Sequence, residues 1–169
     1  EMKRLRYLVE ENFYYNIFDK YIEDEIVECL ELAKNFKFEF KSYMAASKFY
    51  KDYALKTNDK KQYLENFNQH VFIVAMYLGD GNTALAKELM IAMLEQRLQP
   101  ATPTFLNSGR SRRGELVSCF LLEVGDSLNS INYIDSTAKQ LSKIGGGVAI
   151  NLSKLRARGE SIKGIKGVA

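Results

Sequence analysis

Two cysteines and one histidine in 169 residues exclude several chemistries at once. Cys29 and Cys119 stand far apart with no CxxC pair, so neither a disulfide framework nor a cysteine zinc site is expected. His70 has no cluster of ligand-type residues, and a packing or surface role is expected for it. No apolar run approaches the roughly 20 residues that cross a bilayer, and no signal-peptide core opens the chain. A reducing, cytoplasmic compartment is therefore expected, with no membrane partner. The glycine-rich patterns GxGxxG and GxxxxGK[ST] are also missing, which argues against a Rossmann or P-loop nucleotide site.

Glycine itself is absent from residues 1–78, whereas nine of the 11 glycines lie beyond residue 100. Charge shifts with it. Residues 1–100 carry 14 Lys/Arg against 16 Asp/Glu, and residues 101–169 carry 10 against 5, within a net charge of only +3. Two domains are expected, 1–100 and 101–169, the second basic and suited either to phosphates or to a merely solvated surface. With 46% hydrophobic and 27% charged residues, the chain has a globular composition.

The first part has helical spacing. In YIEDEIVECLELAKNF, Ile22, Ile26, Cys29, Leu30 and Ala33 recur at intervals of three and four, one apolar stripe that makes Cys29 a core residue. SYMAASKFYKDYALKT and YLENFNQHVFIVAMYLG repeat the pattern, and NTALAKELMIAMLEQRL follows, capped by Asn82 or Thr83 and stopped by Pro100.

After Pro100 the pattern changes. ATPTFLNSGRSRRGE is expected to be a loop and LVSCFLLEV a strand; a helix from DSLNSINYIDSTAKQLSKI carries Leu128, Ile131, Ile134, Ala138 and Leu141; VAINL is a second strand. Strand, helix, strand implies a βαβ unit opening a parallel, helix-flanked sheet or barrel.

Three features are expected to converge on one end of that unit. Asp126-Ser127 follows the first strand, where Asp126 could accept from a ribose hydroxyl or either residue could simply cap the helix. Gly145, Gly146 and Gly147 could form a turn or admit a close ligand. Lys154, Arg156, Arg158, Lys163 and Lys166 alternate with glycines in a basic segment suited to phosphates, without the interleaved aromatics that single-stranded nucleic acid would use. Cys119 remains open between a buried core thiol and redox chemistry at a substrate pocket.

QPATPTFLNSGRSRRGELVSCFLLEVGDSLNSI and QLSKIGGGVAINLSKLRARGESIKGIKGVA resemble the N-terminal portion of the large, catalytic α subunit of class I ribonucleotide reductase, most closely the class Ib form. YLVEENFYYN, KFYKDYALKTND and QYLENFNQHVFIVAMYLGDGN extend the resemblance over the helical part. The resemblance implies a mixed α and α/β fold, a helical N-terminal domain followed by the first βαβ elements of a ten-stranded α/β barrel. It also implies an oxidoreductase that replaces the ribose 2′-hydroxyl of ribonucleoside diphosphates by hydrogen, supplying deoxyribonucleotides for DNA replication. A thiyl radical abstracts the 3′-hydrogen, and a cysteine pair reduces the intermediate and ends as a disulfide.

By the same resemblance, Cys119 is one member of that redox pair. Thr102, Ser118, Cys119 and Gly147 hold substrate; Asp126, Ser127, Arg156, Arg158 and Lys163 hold a nucleotide effector, ATP or a deoxynucleoside triphosphate, at a dimer interface. No cofactor binds this chain directly. Implied partners are a small β subunit whose dimetal centre supplies the radical, the remainder of the α subunit, a thioredoxin- or glutaredoxin-like reductant and a second α copy, with no nucleic acid. The family's thiyl cysteine, its Asn and Glu neighbours and the partner of Cys119 have no match here, so this chain alone is expected to be inactive. A non-catalytic nucleotide-binding or assembly module of a split reductase is the alternative, and an RNA-binding basic domain is a weaker one. The helical part as given is expected to be too short for a complete ATP-binding regulatory domain, which fits the class Ib form, and a truncated start would give the same shortness.

Overall fold

The computed structural model describes residues 1–112 and 114–167. The chain divides into two compact units, Glu1–Leu116 and Val117–Ala169.

The first unit is helical. Helix α1 (Met2–Glu10) buries Leu5 and Leu8. Helix α2 (Glu23–Asn35) begins with three acids, Glu23, Asp24 and Glu25, which suit the positive end of the helix dipole. It buries Ile26, Cys29, Leu30 and Ala33, as its spacing predicts; Ile22 precedes the first turn and stays exposed. SYMAASKFYKDYALKT does not form one helix: α3 (Tyr43–Lys48) widens into a π-helical turn, Phe49–Tyr53, and Ala54 is extended.

Helix α4 (Phe67–Gly79) starts at a reciprocal cap in which Asn66 Oδ1 accepts from the Gln69 amide at 3.0 Å and Gln69 Oε1 accepts from the Asn66 amide at 2.9 Å. Val71 through Met76 are all buried, which makes α4 the central helix of the unit. Asn82 caps α5 (Thr83–Leu94) by accepting from Leu85 N at 3.0 Å. Pro100 does not stop α5. The helix ends at Leu94, where the amides of Arg97 and Leu98 turn back onto the Ala92 carbonyl at 2.9 and 3.0 Å and Gln96 takes φ +60°.

The segment ATPTFLN, expected as loop, forms a short helix, α6 (Thr102–Asn107), whose Pro103 lies in the first turn where no amide hydrogen is needed. Three hydrogen bonds fold the following residues back onto it. Thr104 Oγ1 donates to the Leu116 carbonyl at 3.0 Å, Asn107 Nδ2 donates to the Glu115 carbonyl at 2.8 Å, and Asn107 Oδ1 accepts from Gly114 N at 3.2 Å. Residues 101–116 therefore belong with the helical unit, and the division falls after Leu116 rather than after Pro100. An aromatic cluster fills the core beneath: Phe38 stacks on Phe67 at 4.0 Å, and Phe105 meets the His70 ring edge-on at 4.4 Å.

The second unit is strand, helix, strand. Strands β1 (Cys119–Glu123) and β2 (Gly147–Asn151) pair in parallel, with Cys119 opposite Gly147 and Glu123 opposite Asn151; α7 (Leu128–Lys143) makes the crossover. Among its described residues, Val124 and Ile134 are the buried apolar side chains, while Leu121 is 85% and Leu128 71% exposed. The stripe predicted for α7 is thus covered at Ile134 and open at Leu128 and Ile131.

Candidate functional site

Strand β1 alternates: Cys119, Leu121 and Glu123 are exposed, and Phe120 and Leu122 half-buried. Cys119 is therefore a free, exposed thiol, which rules out a buried core role for it within this chain. Cys29 is the core cysteine, and burial pushes its thiol up to about 11. Beside Cys119, the Gly147 amide donates to the Ser118 carbonyl at 2.7 Å. Ser118, Cys119 and Gly147 thus share the N-terminal edge of the strand pair. A side chain on Gly146 would run into the Phe120 ring, so the glycine run serves close packing at this edge as well as the turn at Gly145, where φ is +91°.

The acidic and basic candidates sit at the other edge. Ser127, not Asp126, caps α7: its Oγ accepts from Ser130 N at 3.2 Å. Asp126 is free of that duty and pairs with Arg156, Oδ2 to Nε, at 2.8 Å, while Arg156 Nη1 donates to the Ser161 carbonyl at 3.2 Å. Lys154 pairs with Glu123. Arg158 is exposed, and Lys163 has φ +51° in the turn between Ile162 and Ile165. The expected convergence on one end therefore does not occur. Parallel pairing places Gly145–Gly147 at the start of β2 and Asp126 after β1, a strand of five residues apart, about 13 Å at strand rise.

Thr102 opens α6 in the first unit, exposed, with its hydroxyl 3.2 Å from that of Tyr53. Thr104 of the same ATPT motif is committed to the Leu116 carbonyl.

Sequence reasoning missed a buried polar cluster centred on Glu65. Its carboxylate accepts from the guanidinium of Arg110 through both terminal nitrogens, from the hydroxyl of Tyr14, and from Leu55 N at 2.8 Å. His70, expected in a packing or surface role, is completely enclosed: Nδ1 stands 2.8 Å from Glu65 Oε1 and 3.0 Å from Arg110 Nη2, and Nε2 donates to the Phe105 carbonyl at 2.8 Å. Burial alone would raise the Glu65 carboxyl, but His70 and Arg110 hold it well below the usual range. Burial and the Glu65 charge push the Tyr14 hydroxyl up. Partners up to 51 residues apart leave no local pattern by which this cluster could be found.

Among the described residues, no group of three or more His, Cys, Asp or Glu side chains is arranged to hold a metal ion, and no helix is long and apolar enough to cross a membrane.

Residues 39–113 match the model of the ribonucleotide reductase all-alpha domain, and residues 117–169 match that of the ribonucleotide reductase barrel domain. The chain belongs to the ribonucleotide reductase large-subunit family. It is 53% identical over 165 residues to the ribonucleoside-diphosphate reductase NrdEB subunit alpha of Bacillus subtilis and 54% identical over 165 residues to the ribonucleoside-diphosphate reductase subunit alpha of the same organism. The corresponding subunit alpha of Mycoplasma pneumoniae is 43% identical over 165 residues. Each alignment covers 97% of this chain but only 15%, 24% and 23%, respectively, of the relative. The break between the two reductase domain matches, at residues 113 to 117, coincides with the division after Leu116, so β1, α7 and β2 are the part of the barrel domain that this chain carries.

Proposed function

We propose that this chain is part of the catalytic α subunit of a class Ib-type ribonucleoside-diphosphate reductase and carries one of its two reducing thiols, part of its substrate site and part of its effector site. The observation that carries this reading is the register of β1 on β2. An exposed Cys119 faces Gly147 across the strand pair, with Ser118 bonded to the Gly147 amide, so three of the four proposed substrate residues share one edge. A thiol on a paired strand has its backbone fixed, which suits chemistry that tolerates little displacement.

In this reading, Cys119 and a second cysteine of the complete subunit give up two electrons and two protons. They become a disulfide as the 2′-oxygen leaves as water and C2′ gains hydrogen. Thr102 and Ser118 hold the substrate, and Gly147 lets the backbone approach it. The radical comes from a small dimetal subunit, and a thioredoxin- or glutaredoxin-like protein restores the thiols. The effector, ATP or a deoxynucleoside triphosphate, takes Asp126, Ser127, Arg156, Arg158 and Lys163 at an interface between two α copies, in a cytoplasmic enzyme. The Asp126–Arg156 ion pair supports this, since an acceptor for sugar hydroxyls and a donor to phosphates already stand beside the capped N-terminus of α7.

The test uses the complete α subunit with its small partner subunit and a dithiol reductant. Cys119→Ser abolishes reduction of cytidine diphosphate while leaving effector binding intact; full turnover by that variant removes Cys119 from the mechanism. The 169-residue chain alone is expected to show no turnover.

A further inference from the structure

We propose that Tyr53 is a positioning residue for substrate binding: its hydroxyl donates to Thr102 and thereby turns the Thr102 proton toward the substrate. The proposal rests on the reading of Thr102 as a substrate ligand given above. Two hydroxyls 3.2 Å apart share one hydrogen bond, and geometry alone leaves either as the donor. The ligand chemistry decides the direction. The diphosphate oxygens of the substrate are anionic and can only accept, so a Thr102 that binds them must spend its single proton on them. The bond to Tyr53 then has to be made through a Thr102 lone pair, with the phenol donating. A hydroxyl that already accepts is also polarised into a better donor.

Tyr53 is held for this task from three directions. Its carbonyl accepts from Arg110 Nη2 at 3.3 Å, which ties its backbone to the buried Glu65 cluster. Its ring packs on Phe105 at 5.6 Å, and Phe105 is in turn fixed by the bond from His70 to its carbonyl. It closes the π-helical turn Phe49–Tyr53 beside a groove of about 330 Å³ that Thr102 also lines. Thr104 cannot substitute for Thr102, because its own proton goes to the Leu116 carbonyl. One hydroxyl of the ATPT motif is thus structural, and the other is left for a ligand with its rotation set by Tyr53.

Steady-state reduction of cytidine diphosphate by the complete α subunit with its small subunit and dithiol reductant tests this. Tyr53→Phe keeps the ring and removes the donor; KM is expected to rise about threefold to tenfold with kcat within about twofold, the size of one neutral hydrogen bond. Thr102→Val should raise KM at least as much, and Tyr53→Phe added to it should change nothing further, because the pair acts as one unit. Thr102→Ser puts the hydroxyl back and should recover most of the KM lost in Thr102→Val, and that recovery should disappear when Tyr53→Phe is added. An unchanged KM in Tyr53→Phe, with Thr102→Val impaired, overturns the positioning role and leaves the substrate reading standing. Additive effects in the double variant, or a lowered melting temperature with kcat and KM falling together, also overturn it. A normal KM in Thr102→Val defeats the substrate reading itself and the proposal with it.

Discussion

Arg110 holds the carboxylate of Glu65 with both terminal guanidinium nitrogens, and the pair is closed to solvent, with Arg110 only 7% exposed and Glu65 not at all at the side chain. A buried ion pair against hydrophobic replacements is close to neutral, but half of one is costly. Glu65→Gln should therefore destabilise the helical unit by about 3–5 kcal/mol, because it strands the Arg110 charge and loosens His70 and Tyr14 together. The double variant Glu65→Leu with Arg110→Met removes the stranded charge but leaves the Tyr14 hydroxyl, His70 Nδ1 and Leu55 N without their partner, so it should recover only part of that loss. Urea unfolding of wild type and the two variants checks both; a loss below about 1 kcal/mol in Glu65→Gln would mean that water reaches the cluster.

The same pair sets a pH dependence. The Glu65 carboxyl lies below its ordinary value of 4.5 in the folded chain, so in the interval below 4.5 the unfolded state binds the extra proton. Stability then rises with pH through that interval. The contribution is complete above 4.5 and is lost as pH falls toward the depressed folded value. Urea midpoints measured on the acid side should fall steeply in wild type and more gently in Glu65→Gln. Parallel curves for the two proteins would show that other carboxylates dominate.

Much of this was legible in the sequence, and the misses share a cause. Local periodicity located α2, α4, α5 and α7, and Asn82 and Ser127 announced their helices because a cap is a contact over three residues. Helix α6 was hidden because Thr102–Asn107 is six residues long, too short for a period, and it is stabilised by bonds to residues 114–116 that no window over the motif contains. The end of α5 was misplaced because proline is a conspicuous stop, whereas the real one is a turn of the Arg97 and Leu98 amides onto Ala92. At the candidate site the residue types were legible, but their grouping was not. Whether Gly147 and Asp126 share an edge depends on strand direction and register, which place them at opposite ends.

The two thiols should differ sharply in reactivity. Cys119 is exposed, whereas Cys29 is fully buried in the core with its thiol pushed up to about 11, so little thiolate forms near neutral pH. A maleimide reagent at neutral pH should modify one cysteine in the folded chain and both in denaturant, with peptide mass mapping placing the first on Cys119. Rapid labelling of Cys29 in the folded chain would mean that α2 opens locally.

Gly109 precedes Arg110 and passes close enough to α4 that no side chain fits. Its φ is +75°, and an added Cβ would lie 2.6 Å from Ile73 Cγ1 and 2.8 Å from the Ile73 carbonyl oxygen. The second contact is with helix backbone and cannot be relieved by a rotamer change. Gly109→Ala should therefore combine left-handed strain with overpacking, roughly 2–5 kcal/mol in all. Gly81 also has a positive φ, +91°, but its Cβ would meet the Lys20 carbonyl oxygen at 3.2 Å, a contact that a few tenths of an ångström relieve. Gly81→Ala should cost about 1–2 kcal/mol, the conformational share alone. Urea midpoints of the two variants separate the contributions: a clear excess at Gly109 locates the close backbone approach that seats Arg110 under Glu65. Equal losses would mean that the turn at Gly109 yields and the seat of Arg110 is set elsewhere.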